Sequence, residues 1–247
     1  MVSPGSIVNG ARRGDIPTCS GEAVGGFVWV PSLPGYNLPM PFSLSIVACG
    51  PQLEIALSGP SLGVISVVRF GGIQRRSSLV LAAVDLLVED AGMARSDLWE
   101  VIVSRGPGSF TGIRSGLATA GGLAAAVGCK ITAYDSLVMQ AARVGGSGEV
   151  WAAQPGRRGE VYARAFLLSP ETVPEPRGEI EVLPLADIGE RGPWVSAESL
   201  SLGEAPRQAP IRSAAEALIL LAEAGIQSDE VEPLYIEGPP IHGGQGA

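Results

Sequence analysis

The chain has 247 residues, 46% of them hydrophobic, and a formal net charge of −8, enough to bury a real core in one large domain or two small lobes. Lys130 is the only lysine, so the broad cationic surface that neutralises phosphates is missing, and the chain alone is expected to bind RNA poorly. A single histidine, His242, and three widely spaced cysteines, Cys19, Cys49 and Cys129, exclude a two-imidazole zinc site, a triad built on a buried imidazole and a disulfide framework.

Residues 1–41 are rich in Gly, Pro and Ser, with only the short Phe27-Val28-Trp29-Val30 run as an apolar segment, and read as an N-terminal extension outside the fold. Met40 stands immediately before the first convincing strand, which admits a translation start there. No apolar run is long enough to span a bilayer, and no apolar stretch follows Arg12 and Arg13 as in a signal peptide. A soluble, cytoplasmic protein with no membrane partner is expected.

From residue 43 the pattern changes. Ser43–Ala48, Leu53–Ser58 and 63–69 are short apolar runs separated by Gly/Pro turns, as in a three-strand meander. A helix follows over 78–92, apolar on more than one face, with Asp85 the polar exception in its first half. Asp85 is read as either an exposed residue or an interface charge seeking an arginine. Glu100–Ser104 predicts a strand, 109–127 a helix, Ile131–Tyr134 a strand and Ser136–Ala142 a helix. The order βββαβαβα predicts an α/β lobe of the ribonuclease-H type over 42–146. Val150–Ala153 and Glu160–Leu168 open a second meander, and Ala214–Ala224 reads as a late helix. A second, smaller and worn-down lobe is expected over 147–240, with a tail at 241–247 that carries an idle His242.

The loop from Arg105 to Arg114, reading RGPGSFTGIR, joins a strand end to a helix start, where free N–H groups and the helix dipole favour anions. Gly106 and Gly108 permit unusual backbone angles, Pro107 stiffens the turn, and Ser109 or Thr111 can cap the helix ahead of Phe110 and Arg114. It is not a phosphate-binding P-loop, because no Lys-Ser/Thr follows Gly112, nor a dinucleotide fingerprint, because Thr111 occupies the third glycine position. Behind the loop, Gly108, Gly112, Gly116, Ala120 and Ala124 recur every four residues and form a strip almost without side chains. That strip admits either packing against the 78–92 helix or a subunit interface.

The stretch Val101–Leu137 closely resembles the TsaB (YeaZ) family, which carries a GPGSFTGLR motif, a small-residue helix and a strand ending before a Ser-Leu helix start. Arg157-Arg158-Gly159-Glu160-Val161-Tyr162 resembles that family's RRGEVY segment, and Pro233-Leu234-Tyr235-Ile236 its PLYLR ending. The resemblance implies the actin/Hsp70/sugar-kinase fold, with two ribonuclease-H-like lobes, the second degenerate. It also implies a role in forming N6-threonylcarbamoyladenosine at position 37 of tRNA, as a non-catalytic scaffold for a TsaD-type transferase. A TsaE-type ATPase would join the assembly, and tRNA would be met only through the complex. A homodimer is possible when the partner is absent.

Carried onto this chain, the partner interface falls on the helices 78–92 and 109–127, at Leu79, Ala83, Leu86, Leu87, Gly112, Gly116 and Ala120. No catalytic or metal-ligating residue and no cofactor of its own are expected, ATP and metal belonging to partner subunits. Ala48-Cys49-Gly50 stands where superfamily members place an Asp-containing turn, Pro155 where an Asp often precedes the Arg-Arg-Gly segment, and the usual His is missing around 75–78. These departures argue against independent ATP hydrolysis. The competing reading is a small-molecule kinase or ATPase using the inter-lobe cleft, and a peptidase comes last. Arg105 and Arg114 could meet phosphate or a partner carboxylate, whereas Arg157, Arg158 and Glu160 fit a solvated hairpin turn better than a contact site.

Overall fold

In the computed structural model, residues 41–59, 63–71, 79–157, 159–170, 172–196, 200 and 206–237 are described. The expectations for residues 1–40, 75–78, Arg158, His242 and the tail lie outside them.

Strands β1 (Phe42–Val47), β2 (Leu53–Gly59) and β3 (Gly63–Phe70) form the antiparallel meander expected from the alternating runs and turns. β4 (Leu98–Ser104) pairs parallel to β1, and β5 (Lys130–Tyr134) parallel to β4, giving the sheet order β3-β2-β1-β4-β5. Because β1 and β2 are covered on both faces, their residues are almost all buried, which is why the sequence shows apolar runs there rather than a clean alternation.

Helices α1 (Val80–Asp90) and α2 (Phe110–Val127) lie on one face of this sheet. Val80, Ala83, Val84, Leu87 and Val88 of α1 share a core with Phe42, Leu44 and Ile46 of β1 and with Ala120 of α2. The second sheet contains β6 (Gly148–Pro155), β7 (Glu160–Ser169), β8 (Thr172–Pro184) and β9 (Trp194–Ser196), in the order β8-β7-β6-β9. It repeats the first sheet's plan, an antiparallel meander whose first strand pairs parallel to the next crossover strand, but stops one strand short. The two sheets give the expected pair of ribonuclease-H-like lobes, the second degenerate.

The two remaining helices are exchanged relative to the sequence reading. α3 (Ser136–Ala142), expected with the first lobe, packs Leu137, Ala141 and Val144 against Val150, Ala152 and Phe166 of the second sheet. α4 (Ala214–Glu223), expected with the second lobe, packs Ala215, Leu218 and Leu221 on the free face of the first sheet, against Val47, Ala56 and Ile102. The physical reason lies in β1 and β4: their inward positions on that face are apolar and need a cover, to which the described helices of residues 42–135 contribute only Ile113 and Leu117 of α2. Ser45 Oγ fastens the arrangement by donating to the carbonyl of Ala215 at 2.8 Å.

β8 and β9 are invisible to a periodicity reading. β8 carries Pro174, Pro176 and several exposed charges, which a strand tolerates at a sheet edge, and β9 is only three residues long.

Candidate functional site

The Arg105–Arg114 loop sits between β4 and α2 and leans on the turn after β1. Ser109 N–H donates to the carbonyl of Cys49 at 2.8 Å, and Ser109 Oγ caps α2 by accepting from Gly112 N–H at 3.3 Å. Gly108 has φ +150, and a Cβ there would lie 2.5 Å from the Cys49 oxygen; only glycine allows this approach. Gly106, at φ +103, would place a Cβ 2.9 Å from the Leu234 oxygen. The loop is therefore pressed between the first turn and the C-terminal segment. A backbone amide that a phosphate cradle would present is already bonded inside the chain.

The same contacts decide the glycine strip. A Cβ on Gly112 would stand 2.0 Å from the Ala48 oxygen, and one on Gly116 3.3 Å from Ala48 Cβ. Gly112, Gly116 and Ala120, expected at a partner interface, instead face the chain's own sheet, where missing side chains let α2 settle onto β1 and β4. The strip packs on the sheet rather than on α1. Ala83 and Leu87 are likewise corrected: both are core residues, 2% and 3% exposed, since the α1 face they share covers β1 and β2. Leu79 is half-buried. Leu86 alone of the expected set is open, at 47%, and Leu81, which the sequence reading passed over, is 55% exposed. Asp85 beside them has found its arginine within the chain, with Arg95 Nη2 2.6 Å away.

α2 has a second row of small residues on its other side. Ala118, Gly122, Ala125 and Ala126 are exposed, and a Cβ on Gly121 or Gly122 would touch nothing. The outer faces of α1 and α2 thus offer two exposed leucines on one helix and a row of small residues on its neighbour.

Between the lobes lies a cleft of about 660 Å³ on which the three segments singled out by resemblance converge: Pro107 to Phe110, Arg157 and Tyr162, and Leu234 to Glu237, with Cys49 to Pro51 as the floor. Phe110 stacks on Tyr235 with ring centroids 5.1 Å apart, and the Arg114 guanidinium lies 5.3 Å from the Phe110 centroid, an attractive cation–π position. Arg105 does not reach into the cleft; its Nη1 donates to the Glu230 carbonyl at 3.0 Å. In the β6–β7 turn, Gly159 has φ +88, Glu160 is exposed, and Arg157 Nε lies 3.5 Å from Glu237. Tyr162 Oη donates to Glu237 at 2.8 Å. Burial first, and the Glu237 carboxylate second, push the Tyr162 phenol up to about 12. The Cys49 thiol is pushed up to about 11 by burial, so little of it is thiolate near neutral pH. Among the described residues no group of three His, Cys, Asp or Glu side chains could hold a metal ion. Among the described residues the charged lining is Arg157 and Glu237, of opposite sign, and the rest is largely proline, glycine and aromatic surface.

A family model described as TsaD, tRNA N6-adenosine threonylcarbamoyltransferase, matches residues 65–179. The tRNA threonylcarbamoyladenosine biosynthesis protein TsaB of Bacillus subtilis is 37% identical over 94 residues, 38% of this chain and 41% of that protein's length. An uncharacterized protein of Mycobacterium tuberculosis is 29% identical over 169 residues, covering 67% of this chain and 75% of that protein. Among solved structures, YeaZ from Pseudomonas aeruginosa superposes with a TM-score of 0.62 at 25% identity, over 80% of this chain and 100% of that one. Together these matches support a TsaB (YeaZ) family assignment. A second Pseudomonas aeruginosa structure, described as similar to peptidase YeaZ, gives a TM-score of 0.66 at 24% identity over the same shares and supports the same fold. The motif loop that marks the TsaB family in sequence is thus, in this chain, a packing element that seats α2 and walls the cleft. No helix among the described residues is long and apolar enough to cross a membrane.

Proposed function

We propose that this TsaB-family chain is a non-catalytic scaffold that promotes threonylcarbamoyladenosine formation at position 37 of tRNA by pairing with a TsaD-type subunit in the cytoplasm. The observation that carries the reading is the open side of the neighbouring helices α1 and α2, on which Leu81 and Leu86 of α1 and Ala118, Gly122 and Ala125 of α2 are exposed. Large apolar side chains in the open, next to a helix onto which a second backbone can close, fit a helix-on-helix interface. A TsaE-type ATPase would join the assembly, tRNA would be contacted through the complex, and ATP and metal would sit on the partner subunits. A homodimer through the same face would compete with the heteromer.

A small-molecule kinase or ATPase would use the cleft. Phosphoryl transfer needs carboxylates that position a metal and the attacking group. The turn after β1 supplies Ala48, Cys49 and Gly50, and Ser109 N–H is engaged by Cys49. These features weigh against that reading.

Co-expression with the TsaD-type protein of the same organism tests the scaffold. The wild-type chain should co-purify with it, whereas Leu86→Glu and Gly122→Arg, both at outward positions, should not, with the melting temperature of the isolated chain little changed. If both variants stay bound, the surface assignment is wrong.

A further inference from the structure

After α4 the chain stays on the first lobe and is tied there at several points. Tyr134 Oη donates to the Ile226 carbonyl at 3.0 Å, and Asp229 N–H donates to Ala133 O at 2.9 Å. Asp229 Oδ2 accepts from Asp135 N–H at 2.9 Å. Arg105 then grips the segment from both sides, donating from Nη1 to Glu230 O and accepting at its own carbonyl from Leu234 N–H at 2.8 Å. Tyr235 stacks on Phe110. Two residues later the attachment changes lobe. Glu237 receives Tyr162 Oη and faces Arg157 Nε, both carried by the second sheet and its β6–β7 turn.

The lobes are otherwise joined through α3, which follows β5 and packs on the second sheet, and α4, which lies against α3. Neither helix lines the cleft. Away from the cleft the lobes are braced by helices, and across the cleft, among the described residues, the 226–237 segment reaches the second lobe through the Glu237 carboxylate.

We propose that residues 226–237 form a strap across the cleft that fixes the spacing of the two lobes, with Glu237 as its clasp. A carboxylate from the chain itself bridges to Tyr162 and Arg157 of the second lobe across the cleft, so the protein is held as a rigid block rather than poised to close. This inference rests on the geometry of the isolated chain and stands or falls independently of the partner surface.

The test uses nitroxide labels on Ser96→Cys in the first lobe and Glu179→Cys in the second, with Cys19 and Cys129 replaced by Ser and Cys49 left buried. The inter-lobe distance distribution from pulsed electron resonance should be narrow in this background and should broaden or shift on Glu237→Ala. Hydrogen exchange on the unlabelled chain should show the Leu234 amide accelerated about tenfold or more by the same change, through local opening, with α4 amides unaffected. Tyr162→Phe keeps the ring and removes one bond to the clasp, so it should reproduce the effect in weaker form even if Glu237→Ala folds poorly. An unchanged distance distribution and unchanged Leu234 exchange in both variants overturn the strap. Uniform acceleration that includes α4 also overturns it, because Glu237 would then act on global stability alone.

Discussion

Glu54 on β2 accepts the backbone N–H of Ala214 at 2.7 Å, so that a strand near the start of the first lobe caps a helix lying 160 residues further along. Its carboxylate also accepts from Ala215 at 3.3 Å, while Ser213 and Glu216 complete a capping box. A negative group at a helix N-terminus satisfies orphan donors and opposes the helix dipole. Glu54→Ala leaves those donors buried and should cost about 1–3 kcal/mol of stability, read by denaturant unfolding. Glu54→Gln, which keeps an acceptor oxygen, should cost less. Equal losses in both variants would show that the cap is not what Glu54 contributes.

The two small-residue rows of α2 predict opposite results for the same substitution. Gly112→Ala drives a Cβ into the Ala48 carbonyl and should destabilise the chain by about 1–3 kcal/mol or more. Gly122→Ala meets open space and should stabilise it by about 0.5–1 kcal/mol through helix propensity. Melting temperatures of the two variants, moving in opposite directions, check which row faces inward.

Much of the first lobe was legible in the sequence because its signals are local: three apolar runs with Gly/Pro turns, a Ser before a long helix, a Ser-Leu helix start. The destination of α3 and α4 was not, since their apolar faces would cover either sheet, and only the assembled β1 and β4 surface shows which one lacks a cover. A fourfold glycine period likewise shows that something approaches α2 closely without saying whether it is a partner or Ala48. The site was half legible. The motif residues Phe110, Arg157, Tyr162 and Tyr235 do meet in one cleft, but Glu237, which Tyr162 and Arg157 both face, lies just past the 233–236 resemblance in a segment whose short, proline-bearing pattern carries no periodicity. Leu81 was passed over because exposure cannot be read from a helix that is apolar on more than one face.

Asp135 predicts a pH signature. Burial first, then the nearby Asp229 charge, raise its carboxyl from 3.8 to about 6, against the opposing pull of the Leu137 N–H it caps. A carboxyl whose folded value exceeds its unfolded one binds more protons in the native state. Its contribution to stability is therefore complete below pH 3.8 and declines as pH rises through about 6, with a slope of at most about 1.4 kcal/mol per pH unit. Asp135→Asn retains a capping oxygen and should remove that component. The difference between wild-type and variant unfolding free energies should change between pH 4 and 6 and level off above; a constant difference across that range contradicts the assignment.

Cys49 is 1% exposed with its thiol raised to about 11 by burial, so iodoacetamide at mildly alkaline pH should leave it unmodified in the native chain and modify it on unfolding. Peptide mass spectrometry reads this directly. Native labelling of Cys49 would mean that the turn after β1 opens to solvent and that the motif loop does not stay packed on it.

The central claim is most directly tested by the threonylcarbamoyladenosine content of bulk tRNA, measured by mass spectrometry after depletion of this chain and complementation with variants. The modified nucleoside should fall on depletion, return with the wild type and with Gly122→Ala, and not return with Leu86→Glu or Gly122→Arg. An unchanged content after depletion would contradict the proposed function while leaving the fold and the family assignment as they stand.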